Sequence, residues 1–236
     1  MGDKLRIKLF ADGANLQEMV TMANKEYISG LTTNPTLMKQ SGVLNYREFS
    51  EEVLKQISDK PISLEVFSDD FRGMIRQAKE ISGWGSNVFV KIPITNTSGE
   101  FAKDVIKELS HEGIKINVTA IMTKEQIEEV VGLIDPNTSC YFSIFAGRIA
   151  DTGVDPVPTI KFAVNALEKH TNAEVIWASP RELLNVIQAE ESGCHIITAT
   201  SDILKKIPLI GKDLNEYSKE TVQMFYNDAS AAGYEI

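Results

Sequence analysis

An amine and two carboxylates stand near the C-terminal ends of apolar, strand-like runs in this chain, and amides and hydroxyls end two more. Phe10 and Asp12 share one face of the first run, Ser63 and Glu65 of the third, and Phe89 and Lys91 of the fourth, because strand side chains alternate. Asn117 and Thr119 do so in the fifth, Ser143 and Phe145 in the sixth. If the runs are parallel strands of a barrel, their C-terminal ends converge on one mouth, where catalytic groups sit. Each residue alone has an ordinary reading. A strand-end lysine snorkels to water, an isolated Asp12 or Glu65 caps a loop, and Thr119 or Ser143 suits a strand. The coincidence across five strands changes the weighing, since burying a lysine and two carboxylates without use is expensive in desolvation.

Other chemistry-bearing signals are weak. Cysteines and histidines do not occur at metal-ligand spacing, so neither a metal nor another cofactor is expected. Three scattered histidines assemble no Ser-His-Asp set. His111 and His170 fall near helix C-termini, and His195 reads as a strand residue. Gly83-Trp84-Gly85 lacks the third glycine of a dinucleotide loop and reads as a turn.

The elements that must position these residues alternate from end to end. Strands are expected at Ile7–Asp12, Ile28–Thr32, Ile62–Phe67, Asn87–Ile92, Lys115–Ala120, Cys140–Ala146, Glu174–Ala178 and His195–Thr198. Helices are expected at Arg47–Ile57, Phe71–Ser82, Glu100–Glu112, Glu125–Leu133, Thr159–Lys169, Glu182–Glu191 and Asp202–Lys206, with a further one near Asn215–Ala229. Thr97-x-x-Glu100 and Thr123-x-x-Gln126 read as capping boxes; Gly113 and Gly193 suit left-handed helix ends. The strands are continuous apolar runs, as in a parallel sheet covered by helices. Eight such units in 236 residues imply an α/β chain, a single (β/α)8 TIM barrel over 1–236 with an additional C-terminal helix; a doubly wound open sheet is the alternative.

With 43% hydrophobic residues, the chain can bury one substantial core. A net charge of −9 argues against nucleic acid or an anionic membrane as partner, while leaving room for a small anionic substrate held by two or three local cations. The first eight residues contain no apolar leader segment, and no run is long enough to span a bilayer. Cys140 and Cys194 lie in apolar segments, which suits buried thiols in a reducing, cytoplasmic setting.

Several motifs together resemble the transaldolase family, in particular its small bacterial and archaeal members. Phe10-Ala11-Asp12-Gly13-Ala14-Asn15 is similar to the family's opening strand, and Gly30-Leu31-Thr32-Thr33-Asn34-Pro35-Thr36 to its highly specific Gly-x-Thr-Thr-Asn-Pro signature. Val88-Phe89-Val90-Lys91-Ile92-Pro93 resembles the segment that carries the Schiff-base lysine. Asn117-Val118-Thr119, Phe145-Ala146-Gly147-Arg148 and Ala178-Ser179-Pro180-Arg181 are similar to three further site motifs.

The resemblance implies an enzyme that transfers a dihydroxyacetone unit between sugar phosphates, with Lys91 forming an imine, Asp12 handling a substrate hydroxyl proton, and Glu65 shuttling protons through a water held with Thr119. It assigns Asn34, Asn117 and Ser143 to substrate hydroxyls, Thr33 to the loop around Asn34, and Arg148, Ser179 and Arg181 to a terminal phosphate. For the last set a local argument exists too: Ser179 as N-cap and Pro180 at the first helical position put Arg181 beside free N–H groups. Fructose-6-phosphate aldolases, which release free dihydroxyacetone, resemble the chain as well, but carry Gln and Tyr where Glu65 and Phe145 stand here. A silent, non-enzymatic barrel is the remaining alternative. Gly13, Ile144 and Ala150 depart from the family's usual Thr or Ser, Pro and acidic residue. Family members form homo-oligomers, often pentamers or decamers, and the apolar C-terminal helix is a candidate contact.

Overall fold

The computed structural model describes residues 5–235, so the reading of the first four residues lies outside them. Eight parallel strands close into a barrel in chain order: β1 (Lys8–Asp12), β2 (Ile28–Thr32), β3 (Ile62–Glu65), β4 (Val88–Pro93), β5 (Ile116–Ile121), β6 (Cys140–Ile144), β7 (Ala173–Trp177) and β8 (Ile196–Thr200). Helices alternate with them, and β8 pairs back onto β1 in register from Lys8 opposite Ile196 to Asp12 opposite Thr200. Closure leaves no strand edge unpaired, so the open-sheet alternative is set aside.

Sequence-based strand positions agree with the observed ones to within two residues at every end. Continuous apolar runs make the strands because both faces are covered: Leu64, Val90, Ile92, Ile116, Val118 and Phe142 are all fully buried. Inside the barrel, Phe10, Phe89, Tyr141, Ile176 and Ile196 form one layer, with Phe145 packed against it. Gly30 makes that layer possible, since a Cβ there would stand 2.5 Å from the Phe10 ring.

The helix ends were partly legible. Thr123 and Gln126 form the expected capping box, and Gly113 and Gly193 adopt φ of 77°. Thr97 does not cap: its N–H and hydroxyl both donate to Asp69, and the helix starts later, at Lys103. Leu16–Ala23, Pro35–Gln40 and Ala146–Asp151 are additional helices, the first two opened by the side chains of Asn15 and Asn34.

The chain forms two compact units, residues up to Leu204 and Lys205–Ile236. The second holds the helix Leu214–Ala232, capped by Asp213 and ended by Gly233 at φ 66°. None of its residues is buried, and Tyr217, Val222, Met224, Phe225 and Tyr226 are exposed. Among the described residues, no helix is long and apolar enough to cross a membrane.

Candidate active site at the barrel mouth

Lys91 lies on β4 beside Glu65 of β3 and Asn117 of β5. It is 7% exposed. Its Nζ donates to the Thr33 carbonyl at 2.9 Å and stands 3.1 Å from Glu65 Oε2. The Glu65 backbone is held in turn, its carbonyl accepting from the Tyr46 hydroxyl at 3.0 Å. The amine is thus held at both sides at the edge of the barrel interior.

Asp12 faces the same space. Its two oxygens accept from the Thr32 hydroxyl at 2.8 Å and from Asn34 Nδ2 at 3.3 Å. Burial pushes its carboxyl above the ordinary aspartate range; Lys91 and the Thr32 hydroxyl pull it down, and Glu65 adds to the rise. Asn34 has a double use. Its Oδ1 accepts the Leu37 N–H as the N-cap of a helix that Pro35 opens, while its amide reaches Asp12. Only an N-cap with both a donor and an acceptor can do both.

On the opposite wall Ser143 Oγ donates to Asn117 Oδ1 at 2.7 Å, and Asn117 Nδ2 donates to Ser63 Oγ at 3.0 Å. Thr119 Oγ1 is buried and has no hydrogen-bond partner among the described residues. Thr33 and Asn117 are both fully buried and lie behind the cavity wall. The Thr33 hydroxyl bonds the Ser63 carbonyl, so its part is to hold the loop and to offer Lys91 a carbonyl.

The remaining expected residues meet across a cavity of about 420 Å³. It is lined by Asp12, Asn34, Glu65, Lys91, Thr119 and Ser143 on one side, and by Phe145, Arg148, Ser179 and Arg181 beyond them. Ser179 is not a helix N-cap. It has φ 61°, the next helix begins at Leu184, and the N–H of Arg181 bonds Asn185 Oδ1. The reason is a close approach: a Cβ on Gly147 would stand 1.6 Å from the Ser179 carbonyl oxygen. The turn is therefore pressed against the start of the helix Ala146–Asp151 rather than free to begin one of its own. Arg181 is held by Asp151, Nε on Oδ1 at 2.9 Å and Nη2 on Oδ2. Asp151, the residue after Ala150, thus provides the carboxylate that holds Arg181.

The family described as Transaldolase/Fructose-6-phosphate aldolase matches residues 9–236. This chain belongs to that family. Similar proteins include a probable transaldolase of Clostridium acetobutylicum, 36% identical over 93% of this chain and 99% of its own length. One from Thermoanaerobacter sp. is 37% identical over 91% of this chain and 96% of its own length. Probable transaldolase 2 of Listeria monocytogenes is 34% identical over 91% and 95%. In this transaldolase-family chain, sequence reasoning missed Tyr46, Asp151, Thr198 and Thr200. The two threonines line the cavity, and Thr198 shares a hydrogen bond with Thr32. β8 ends on them much as β5 ends near Thr119, a signal that strand-end polarity alone could have given.

Proposed function

We propose that this protein is a transaldolase, moving a dihydroxyacetone unit between sugar phosphates through an imine on Lys91. The observation that carries this reading is Lys91 Nζ, between the Glu65 carboxylate and the Thr33 carbonyl in a cavity shared with Asp12 and Arg148. The unprotonated amine attacks the ketose carbonyl, and loss of water gives the imine, with Glu65 and Thr119 moving the protons of that exchange. Asp12 takes the proton of the hydroxyl next to the bond that breaks. The electron pair of that carbon–carbon bond passes into the imine, leaving an enamine on Lys91 and an aldose phosphate. Burial makes Asp12 a stronger base than an ordinary aspartate, which suits this task. Arg148 and Arg181 suit the terminal anion. A second aldose then takes up the three-carbon unit, and hydrolysis of the new imine frees Lys91.

The second reading, release of free dihydroxyacetone, is disfavoured by Phe145, which offers the enamine no hydroxyl. Reduction with borohydride in the presence of fructose 6-phosphate should attach the three-carbon unit to Lys91. Lys91→Met should lose turnover by about six decades or more, and label on another lysine in that variant would refute the assignment. A cytoplasmic site of action suits the two buried free thiols. Self-association through the exposed apolar face of Leu214–Ala232 belongs to the same reading, and light scattering tests it.

A further inference from the structure

At the opposite end of the barrel, where β1, β6, β7 and β8 begin, lies a second cavity of about 650 Å³. It is larger than the one around Lys91 and shares no lining residue with it. That volume is in the range of small-molecule sites. Tyr141 reaches it from inside the barrel. This residue is only 6% exposed, and its hydroxyl has no hydrogen-bond partner among the described residues. The ring cannot turn to find one, because it is stacked on Phe89 with centroids 4.0 Å apart and set edge-on to Phe10. The hydroxyl is not among the fully buried atoms, so it opens onto the cavity and is free to meet something that enters it.

The groups around Tyr141 define what that something is. Glu174, its register neighbour on β7, is bonded by Lys8 Nζ at 2.8 Å through one carboxylate oxygen. His195 accepts the Val175 N–H at Nδ1, so its neutral ring carries the proton on Nε2 as a donor. Burial favours that neutral ring. Among the described residues, Lys8 is the only lysine or arginine in the lining and is already paired, while Glu168 adds a second carboxylate, which disfavours an anion. Asn165, Thr171 and Asn172 contribute uncharged amides and a hydroxyl, too polar a wall for an apolar ligand. We propose that this cavity binds a neutral polyhydroxylated molecule of monosaccharide size, with Tyr141, Glu174 and His195 meeting its hydroxyls. The inference is independent of the reaction at Lys91.

Methyl α-D-glucopyranoside is a suitable probe, because it has no free carbonyl and cannot form an imine with Lys91. Saturation-transfer NMR on the full chain should show binding to the wild type and to Lys91→Met alike. Tyr141→Phe removes only the unpartnered hydroxyl and keeps the ring contacts. It should weaken the glucoside roughly fivefold, the scale of one neutral hydrogen bond, with kcat and KM unchanged. Glu174→Gln should weaken it as well. Failure of the wild type to bind, equal affinity in Tyr141→Phe, or loss in Arg148→Ala instead would overturn the proposal. So would displacement of the glucoside by inorganic phosphate in a Tyr141-dependent way, which would make the ligand an anion.

Discussion

Asp151 grips Arg181 with both carboxylate oxygens, while Arg148, on the same short helix as Asp151, has no ion-pair partner among the described residues. Both members of the pair are about half exposed, so it adds little to folding. Its effect is local: it fixes the plane of the guanidinium and offsets its charge. The free cation at this end of the cavity is Arg148. Arg148→Ala should therefore raise KM for phosphorylated substrates by roughly one to two decades, the scale of about 1.5–3 kcal/mol for a charge-assisted contact. Arg181→Ala should cost less than tenfold. Steady-state kinetics on fructose 6-phosphate and on dihydroxyacetone as donor check this, and equal losses on both donors would make the arginines structural.

Asp12 gives a pH signature. Its folded-state pKa is raised from the ordinary 3.8, mainly by burial. The folded chain therefore holds this proton at pH values where the unfolded chain has released it, and stability from this group falls as pH rises through that window. Relative to Asp12→Asn, the wild type should lose stability from about pH 4 upward. In the proposed mechanism the ionised form takes the substrate proton, so the acid limb of kcat/KM should lie above the usual carboxylate range and vanish in Asp12→Asn. A limb within that range would remove Asp12 from the role of base.

On the proposed reading, Phe145 is the residue that favours transfer over release. Wild-type protein with fructose 6-phosphate alone should give little free dihydroxyacetone, and an erythrose 4-phosphate acceptor should accelerate turnover strongly. Phe145→Tyr should shift the balance toward release by roughly one decade, equal to about 1.4 kcal/mol in a barrier. Product analysis with and without acceptor decides; fast, acceptor-independent release by the wild type would favour the aldolase reading.

Gly147 is where the Arg148 and Arg181 end of the cavity is most tightly built. Gly147→Ala would drive a methyl group into the Ser179 carbonyl, which is backbone and cannot swing aside. The expected cost is about 1–3 kcal/mol or more in denaturant unfolding, with weaker binding of phosphorylated substrates. Wild-type stability and affinity in this variant would show that the two loops can part freely.

These residues also mark what a sequence can and cannot disclose. The eight strands were readable because continuous burial writes itself as continuous apolar runs, and the polar strand ends located Asp12, Glu65, Lys91, Thr119 and Ser143 on one mouth. Ser179-Pro180-Arg181-Glu182 and Thr97-Ser98-Gly99-Glu100 misled because a cap pattern is local, whereas its outcome was decided by distant neighbours, Gly147 in one case and Asp69 in the other. Tyr46 and Asp151 were invisible for the same reason. Each acts on a partner on another element, Glu65 and Arg181, and no spacing rule connects them.

The relay from Ser143 through Asn117 to Ser63 has a polarity. Ser143 directs its own hydrogen to Asn117 Oδ1, and the Asn117 amide is committed to Ser63. Toward the cavity Ser143 therefore presents only lone pairs. A molecule that meets it must supply the hydrogen. Replacing the hydroxyl that meets Ser143 by fluorine, which keeps size and electronegativity but can only accept, would set lone pairs against lone pairs and be rejected more strongly than simple removal of that hydroxyl. The wall thus discriminates by direction of donation as well as by shape.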